Sequence, residues 1–228
     1  MDNTKQDFEH RKLEIDNYFR FLLIFDNDET RLTYKQESVF ITEIIQPQFL
    51  VTLVANAFLI LYNLIESTIR NSIIDIYSKI EEEDVTYEFL SDNLKKIWVK
   101  QATDKLKENN FRTDTIRDNV LSIANDILNR ETIRLAKDKM DFSGNLDAQK
   151  IRELAENIGF EIPKNGRNLA EIKNKRNRLA HGEQTFYDVG KDFTVIELFN
   201  FKKETFNFLS DTILKIENFI NDGKYKIN

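Results

Sequence analysis

Residues 49–65 read FLVTLVANAFLILYNLI, the most apolar run in the chain, and the way they are read decides the fold. A helix that crosses a bilayer takes roughly 20 consecutive apolar residues. This run is interrupted by Thr52, Asn56 and Asn63 and soon meets Glu66. It therefore reads as a helix buried in a protein core, and no membrane partner is expected. The helical pattern continues over 48–80 and stops at the acidic run EEED, 81–84. That run reads as a solvated helix end, because nothing nearby completes a ligand set for a cation.

Composition points the same way. The chain has 228 residues, 41% of them hydrophobic, with 18 Phe to fill a core. That suits one sizeable domain, so residues 1–228 are read as a single unit. Only six Gly and two Pro are present, too few for the turns of an all-β protein. The absence of Cys excludes a disulfide scaffold and thiolate metal sites, and suits a reducing cytoplasm. The first residues, MDNTKQDFEHRKLEID, are polar and mixed in charge, unlike a signal peptide.

Working outward from the apolar run gives an all-α bundle of about six to eight helices. A first helix is expected over 5–25, with Phe8, Leu13, Ile15, Phe19, Leu22 and Leu23 at its apolar positions. Residues 26–34 read as a loop, and a short helix is expected before Pro47, which suits the first turn of the long helix. Further helices are expected over 87–108 and 114–138. The stretch DFSGNLDAQKIRELAENIGF, 141–160, reads as loop, cap, helix and stop, with Asn145 or Asp147 starting the helix and Gly159 ending it. A helix over 167–181 ends at Gly182, a loop or short extended piece follows, and a last helix covers 195–221. Leu198, Phe201, Phe206, Leu209, Ile213, Ile216 and Ile220 supply its helical spacing.

The net charge of −6 argues against indiscriminate nucleic-acid binding, which relies on many phosphate contacts. One island departs from that average. Between Lys164 and His181 the chain carries Lys164, Arg167, Lys173, Lys175, Arg176 and Arg178 against one acid, Glu171. The plain reading of such an island is a solvated helix face. The segment NKRNRLAHGEQ, 174–184, also holds His181, one of two histidines; His10, the other, has no comparable neighbourhood.

Helix geometry sorts these residues. With Asn177 at zero and about 100° per residue, His181 falls near 40° and Arg178 near 100°, on one face. Ile172, Leu179 and Ala180 fall between about 200° and 300°, the core side, and Arg176 lies among them near 260°. A guanidinium on the buried side needs an anionic partner or a subunit boundary. Glu66 lies among Leu59, Tyr62, Ile69 and Ile73 at helical spacing, so a Glu66–Arg176 contact is expected, shared with Arg70. Geometry alone leaves two readings open, a functional cluster or an ion pair that fixes helix register. For His181, taken alone, geometry favours the plainer reading, a helix-end histidine facing the last carbonyls and the helix dipole, over a functional group.

Arg176-Asn177-Arg178-Leu179-Ala180-His181 resembles the R-x4-H motif of the HEPN superfamily, including the Asn often found directly after the Arg. NAFLILYNLIESTIRN and FSGNLDAQKIRELAENIGF resemble segments of a branch encoded beside bacterial toxin–antitoxin and phage-defence genes. The resemblance covers most of the chain, best over 50–80 and 140–220. It implies a metal-independent endoribonuclease acting as a homodimer, with no cofactor, whose two motifs line one cleft that binds RNA. By the same resemblance Arg176 and His181 are the catalytic pair and Asn177 supports them. Lys173, Lys175 and Arg178 are then substrate contacts, Glu66 and Arg70 supporting groups, and an antitoxin or defence-system protein a partner. One departure is plain: some HEPN toxins carry a Tyr two residues after the His as a target of nucleotidylation, and here that position is Glu183.

The residue types suit that chemistry. Metal-free RNA cleavage needs a group to take the 2′-OH proton, another to protonate the leaving 5′-oxygen, and a cation for the crowded phosphate. His serves as acid or base near neutrality. Arg keeps its proton and stabilises charge. Two other readings stand beside it: a non-catalytic HEPN module binding RNA or a protein, and an α-helical scaffold with no nucleic-acid link.

Overall fold

The structure is a computed structural model, and it describes residues 1–108, 113–138 and 145–227. At its centre is α2, Pro47–Glu82, with Pro47 in its first turn as the sequence suggests. Among the described residues it is the one helix long and apolar enough to cross a membrane. Here Phe58, Leu61, Tyr62, Ile65, Ile69 and Ile73 are buried around it by other helices. The face that these residues share is the inside of a bundle.

The helices around it are α1 (Asp2–Phe25), α3 (Asp92–Glu108), α4 (Thr113–Leu128), α5 (Ala148–Ile158), α6 (Leu169–Ala180), α7 (Phe186–Gly190) and α8 (Val195–Asn221). α1, α6, α7 and α8 all pack on α2. Among the described residues the fold is all-α apart from one small hairpin. In α1 the buried positions are Thr4, Phe8, Ile15, Phe19 and Leu22, while Leu13 and Leu23 face solvent. In α8, Leu198, Phe201, Leu209, Ile213, Ile216 and Ile220 are buried as their spacing requires.

Local signals set several boundaries. The Asp147 side chain accepts the Lys150 N–H at 2.8 Å and starts α5. Gly159, at φ 104, ends it in the left-handed region that glycine tolerates. α4 is shorter than the 114–138 expected from periodicity: it stops at Leu128, and Arg130 follows at φ 54. Thr132 then bridges to Thr86. The loop expected over 141–144 lies outside the described residues.

Two expectations are corrected. Residues 31–44, read as loop and short helix, form an antiparallel hairpin of β1 (Arg31–Gln36) and β2 (Val39–Ile44). Its two-residue turn puts Glu37 and Ser38 at φ 46 and 75, the backbone of a tight hairpin turn without the usual Asn or Gly. Residues 186–190, read as loop or extended, form the short helix α7. Thr185 and Asp188 cap it reciprocally, each side chain bonding the other's N–H.

The C-terminus is tied back by one carboxylate. Glu83 accepts from the Tyr225 hydroxyl at 2.5 Å and from Lys226 Nζ at 2.7 Å, and faces Lys79 Nζ at 3.0 Å. These partners, Lys226 foremost, lower its pKa from 4.5 to about 2. A folded-state pKa below the unfolded one gives stability that is present above the ordinary carboxylate range and lost as pH falls toward about 2. Glu83→Gln is therefore expected to melt lower than wild type at neutral pH, with the gap closing as pH drops from 4.5 toward about 2. Melting curves across that range check this, and a gap independent of pH would refute it.

Candidate functional site

The basic island forms α6 and the turn after it. Leu169, Ile172 and Leu179 anchor α6 to the core. Arg176 and Asn177 are half-buried, and Arg178, Ala180 and His181 are exposed. The exposure of Ala180 corrects the expectation that it faces the core. α6 ends there, so the apolar stripe closes with Leu179.

Arg176 has a different partner from the one expected. Its guanidinium carbon lies 4.6 Å from the centre of the Tyr62 ring. Its Nη1 donates to Asn177 Oδ1 at 3.0 Å. Glu66 instead pairs with Arg70, one turn along α2, at 3.2 Å. The local i,i+4 partner wins over the distant one because α2 already places it alongside. A half-buried guanidinium stacked on an aromatic face does not need a carboxylate.

Tyr62 is thus the residue that sequence reading passed over. It is fully buried, and its hydroxyl oxygen accepts the Leu146 N–H at 3.1 Å. Burial pushes its phenol pKa up, with Glu66 nearby adding to the rise and Arg176 opposing it. Tyr62 lies one turn before Glu66 on the same face of α2, which is the signal that pointed to Glu66.

The other cations divide by partner. Lys173 Nζ meets Asp147 at 2.5 Å, and both are largely buried. Lys173 therefore fastens α6 to the start of α5. Lys175 Nζ lies 5.0 Å from the centre of the Phe193 ring. Arg178 Nη1 donates to Gln184 Oε1 at 3.4 Å and is open to solvent.

His181 caps α6, with its own N–H on the Asn177 carbonyl at 2.9 Å. Its side chain makes no hydrogen bond or ion pair among the described residues. Gly182 follows at φ 69, with open space where a Cβ would be. The chain then turns into α7, which lies directly on α2. The site thus offers one anchored, half-buried guanidinium, an amide fixed beside it, and an imidazole presented to solvent at the helix end. Such a group can exchange protons while a neighbouring cation holds an anion.

Comparison with known proteins places the chain. The family model described as HEPN_MAE_28990-like HEPN matches residues 1–225, and the chain belongs to this HEPN family. No curated protein and no solved structure matches it.

Proposed function

We propose that the chain is an endoribonuclease that cuts RNA without a metal, in a groove shared by two copies, and serves as a cytoplasmic toxin or defence effector. The observation that carries this reading is the contrast within Arg176–His181. Tyr62 and Asn177 hold the guanidinium, while the imidazole five residues later stands free in solvent.

In this reading His181 of one copy takes the proton from the ribose 2′-OH, and the alkoxide attacks the adjacent phosphorus. His181 of the second copy gives a proton to the departing 5′-oxygen. Arg176 stabilises the extra charge on the non-bridging oxygens, and Asn177 keeps the guanidinium oriented. Arg178 and Lys175 draw the neighbouring phosphates. The products are a 2′,3′-cyclic phosphate and a 5′-OH, and DNA, which lacks the attacking hydroxyl, survives. With Glu183 in place of Tyr, control falls to a protein partner such as an antitoxin and not to nucleotidylation at that position.

The test is incubation with total RNA and tRNA in EDTA, wild type beside His181→Ala, with the cut ends mapped. Arg176→Ala is expected to slow cleavage on the order of 10²–10³-fold, as for loss of one charge-stabilising donor.

One observation favours a second reading. The Arg176 guanidinium is already occupied by Tyr62 and Asn177, as a structural strut would be. The chain is then a non-catalytic HEPN module that binds RNA or a protein. Wild type that cuts no RNA, together with an Arg176→Ala variant that melts lower, would decide for it.

A further inference from the structure

A cleft of about 440 Å³ lies between α3 and α4, with residues 131–136 as its third wall. Its volume suits a small molecule. None of the residues lining it belongs to α6 or to the turn after it. Hydrogen bonds fix the walls. Gln101 takes both polar groups of Ala136, accepting its N–H at 2.8 Å and donating to its carbonyl at 3.5 Å. Asn119 of α4 donates to the Ala102 carbonyl of α3 at 3.0 Å. The Ile133 N–H donates to the Val85 carbonyl at 2.9 Å and holds the third wall to the bundle.

Trp98 lies within this frame, 7% exposed, with its ring 5.4 Å from that of Tyr87. A buried indole N–H ordinarily finds an acceptor. This one has no hydrogen-bond partner among the described residues. It is not shut away as the unpaired hydroxyls of Thr86 and Ser91 are, so a free donor reaches the cleft. The charged side chains of the lining are Asp126, Glu131 and Arg134. The Glu131 N–H bonds the Asp126 carbonyl at 2.9 Å, so the turn that ends α4 brings the two acids together. Glu66, Glu83 and Asp147 each pair with a cation. Among the described residues Asp126 and Glu131 do not, and Arg134 meets no acid.

We infer that this cleft binds a free basic amino acid, of the arginine or lysine class. The charges match group for group. The lining offers two carboxylates and one guanidinium, and the ligand brings two cations and one carboxylate. The two cations answer Asp126 and Glu131, and the carboxylate answers Arg134 and the Trp98 N–H. The aliphatic stem lies along Ile123 and Ile133, as such stems do on apolar walls. A nucleotide suits the cleft poorly, because its phosphate would meet two acids and a single guanidinium. The inference rests on nothing in the nuclease reading.

Calorimetric titration of the whole chain with L-arginine and with L-lysine tests it. Saturable binding of at least one is expected. Norleucine, which keeps the stem and lacks its cation, is expected to bind about tenfold more weakly or worse, as for loss of one charged hydrogen bond. Asp126→Asn with Glu131→Gln keeps the size of both side chains and is expected to abolish binding. Arg134→Gln and Trp98→Phe are each expected to weaken it about tenfold. Should Trp98→Phe fold poorly by circular dichroism, the Asp126 and Glu131 variant still decides. No binding of either amino acid, adenosine monophosphate bound in preference, or binding untouched by the Asp126 and Glu131 variant overturns the inference.

Discussion

His181→Ala is expected to remove RNA cleavage while leaving the melting temperature within about 1 °C of wild type, since an exposed side chain away from special contacts changes stability little. The side chain is exposed at the end of α6 and bonds no other side chain among the described residues. What α6 needs at this position is a backbone N–H for the Asn177 carbonyl, and alanine supplies it. In the proposed mechanism the loss in rate is large because each of two copies contributes one imidazole. A single substitution then removes both the group that takes the 2′-OH proton and the group that protonates the leaving oxygen. Each proton transfer contributes roughly 10²–10⁴-fold. Single-turnover cleavage of a labelled RNA in EDTA reads the effect. Mixing His181→Ala with Arg176→Ala adds a finer test, because in the proposed shared groove each mixed pair keeps one intact imidazole and one intact guanidinium. Cleavage by His181→Ala at the wild-type rate would end the nuclease assignment.

Much of this was legible in the sequence for a physical reason. Helices with a wide apolar stripe announce themselves by periodicity, and α2, α6 and α8 fall close to where spacing puts them. Asp147 and Gly159 bound α5 because a cap is chemistry local to its own helix. The hairpin was hidden because its turn is Glu37-Ser38, with none of the Asn, Asp or Gly that signals such turns. Its exposed faces also obey no core pattern. α7 was hidden by its five-residue length, although Thr185 and Asp188 hold the elements of a capping box. At the site, the reading that Arg176 lies on the inner side of α6 held, and the partner was misjudged. A charge was matched to a charge, whereas the fold offered an aromatic face and a neighbouring amide. Sequence spacing gives the direction a side chain takes. What waits there depends on how two helices cross, and that is set by packing.

That packing can be tested at one atom. A Cβ built on Gly190 would lie 2.0 Å from the Val51 carbonyl oxygen, 2.8 Å from the carbonyl carbon and 2.9 Å from Val51 Cγ1. Two of the three are main-chain atoms of a continuous helix, which cannot step aside as a flexible side chain can. Gly190→Ala must therefore lift α7 off α2. The move also strains Val189, which is fully buried, and Phe193, whose ring packs on Phe58 at 4.8 Å and Phe201 at 5.9 Å. Overpacking of this kind costs about 3 kcal/mol. At roughly 2–4 °C per kcal/mol for a domain of this size, the melting temperature is expected to fall by about 10 °C. Cleavage is expected to fall as well, with Arg176 and His181 chemically intact, because only residues 182–185 separate the motif from α7. Lys175, which sits over Phe193, is displaced by the same motion. Thermal melts and cleavage assays below the lowered transition read the two effects separately. A Gly190→Ala protein that melts with wild type would show that α7 does not lie against α2 at this distance, and the position of His181 would then owe nothing to that contact.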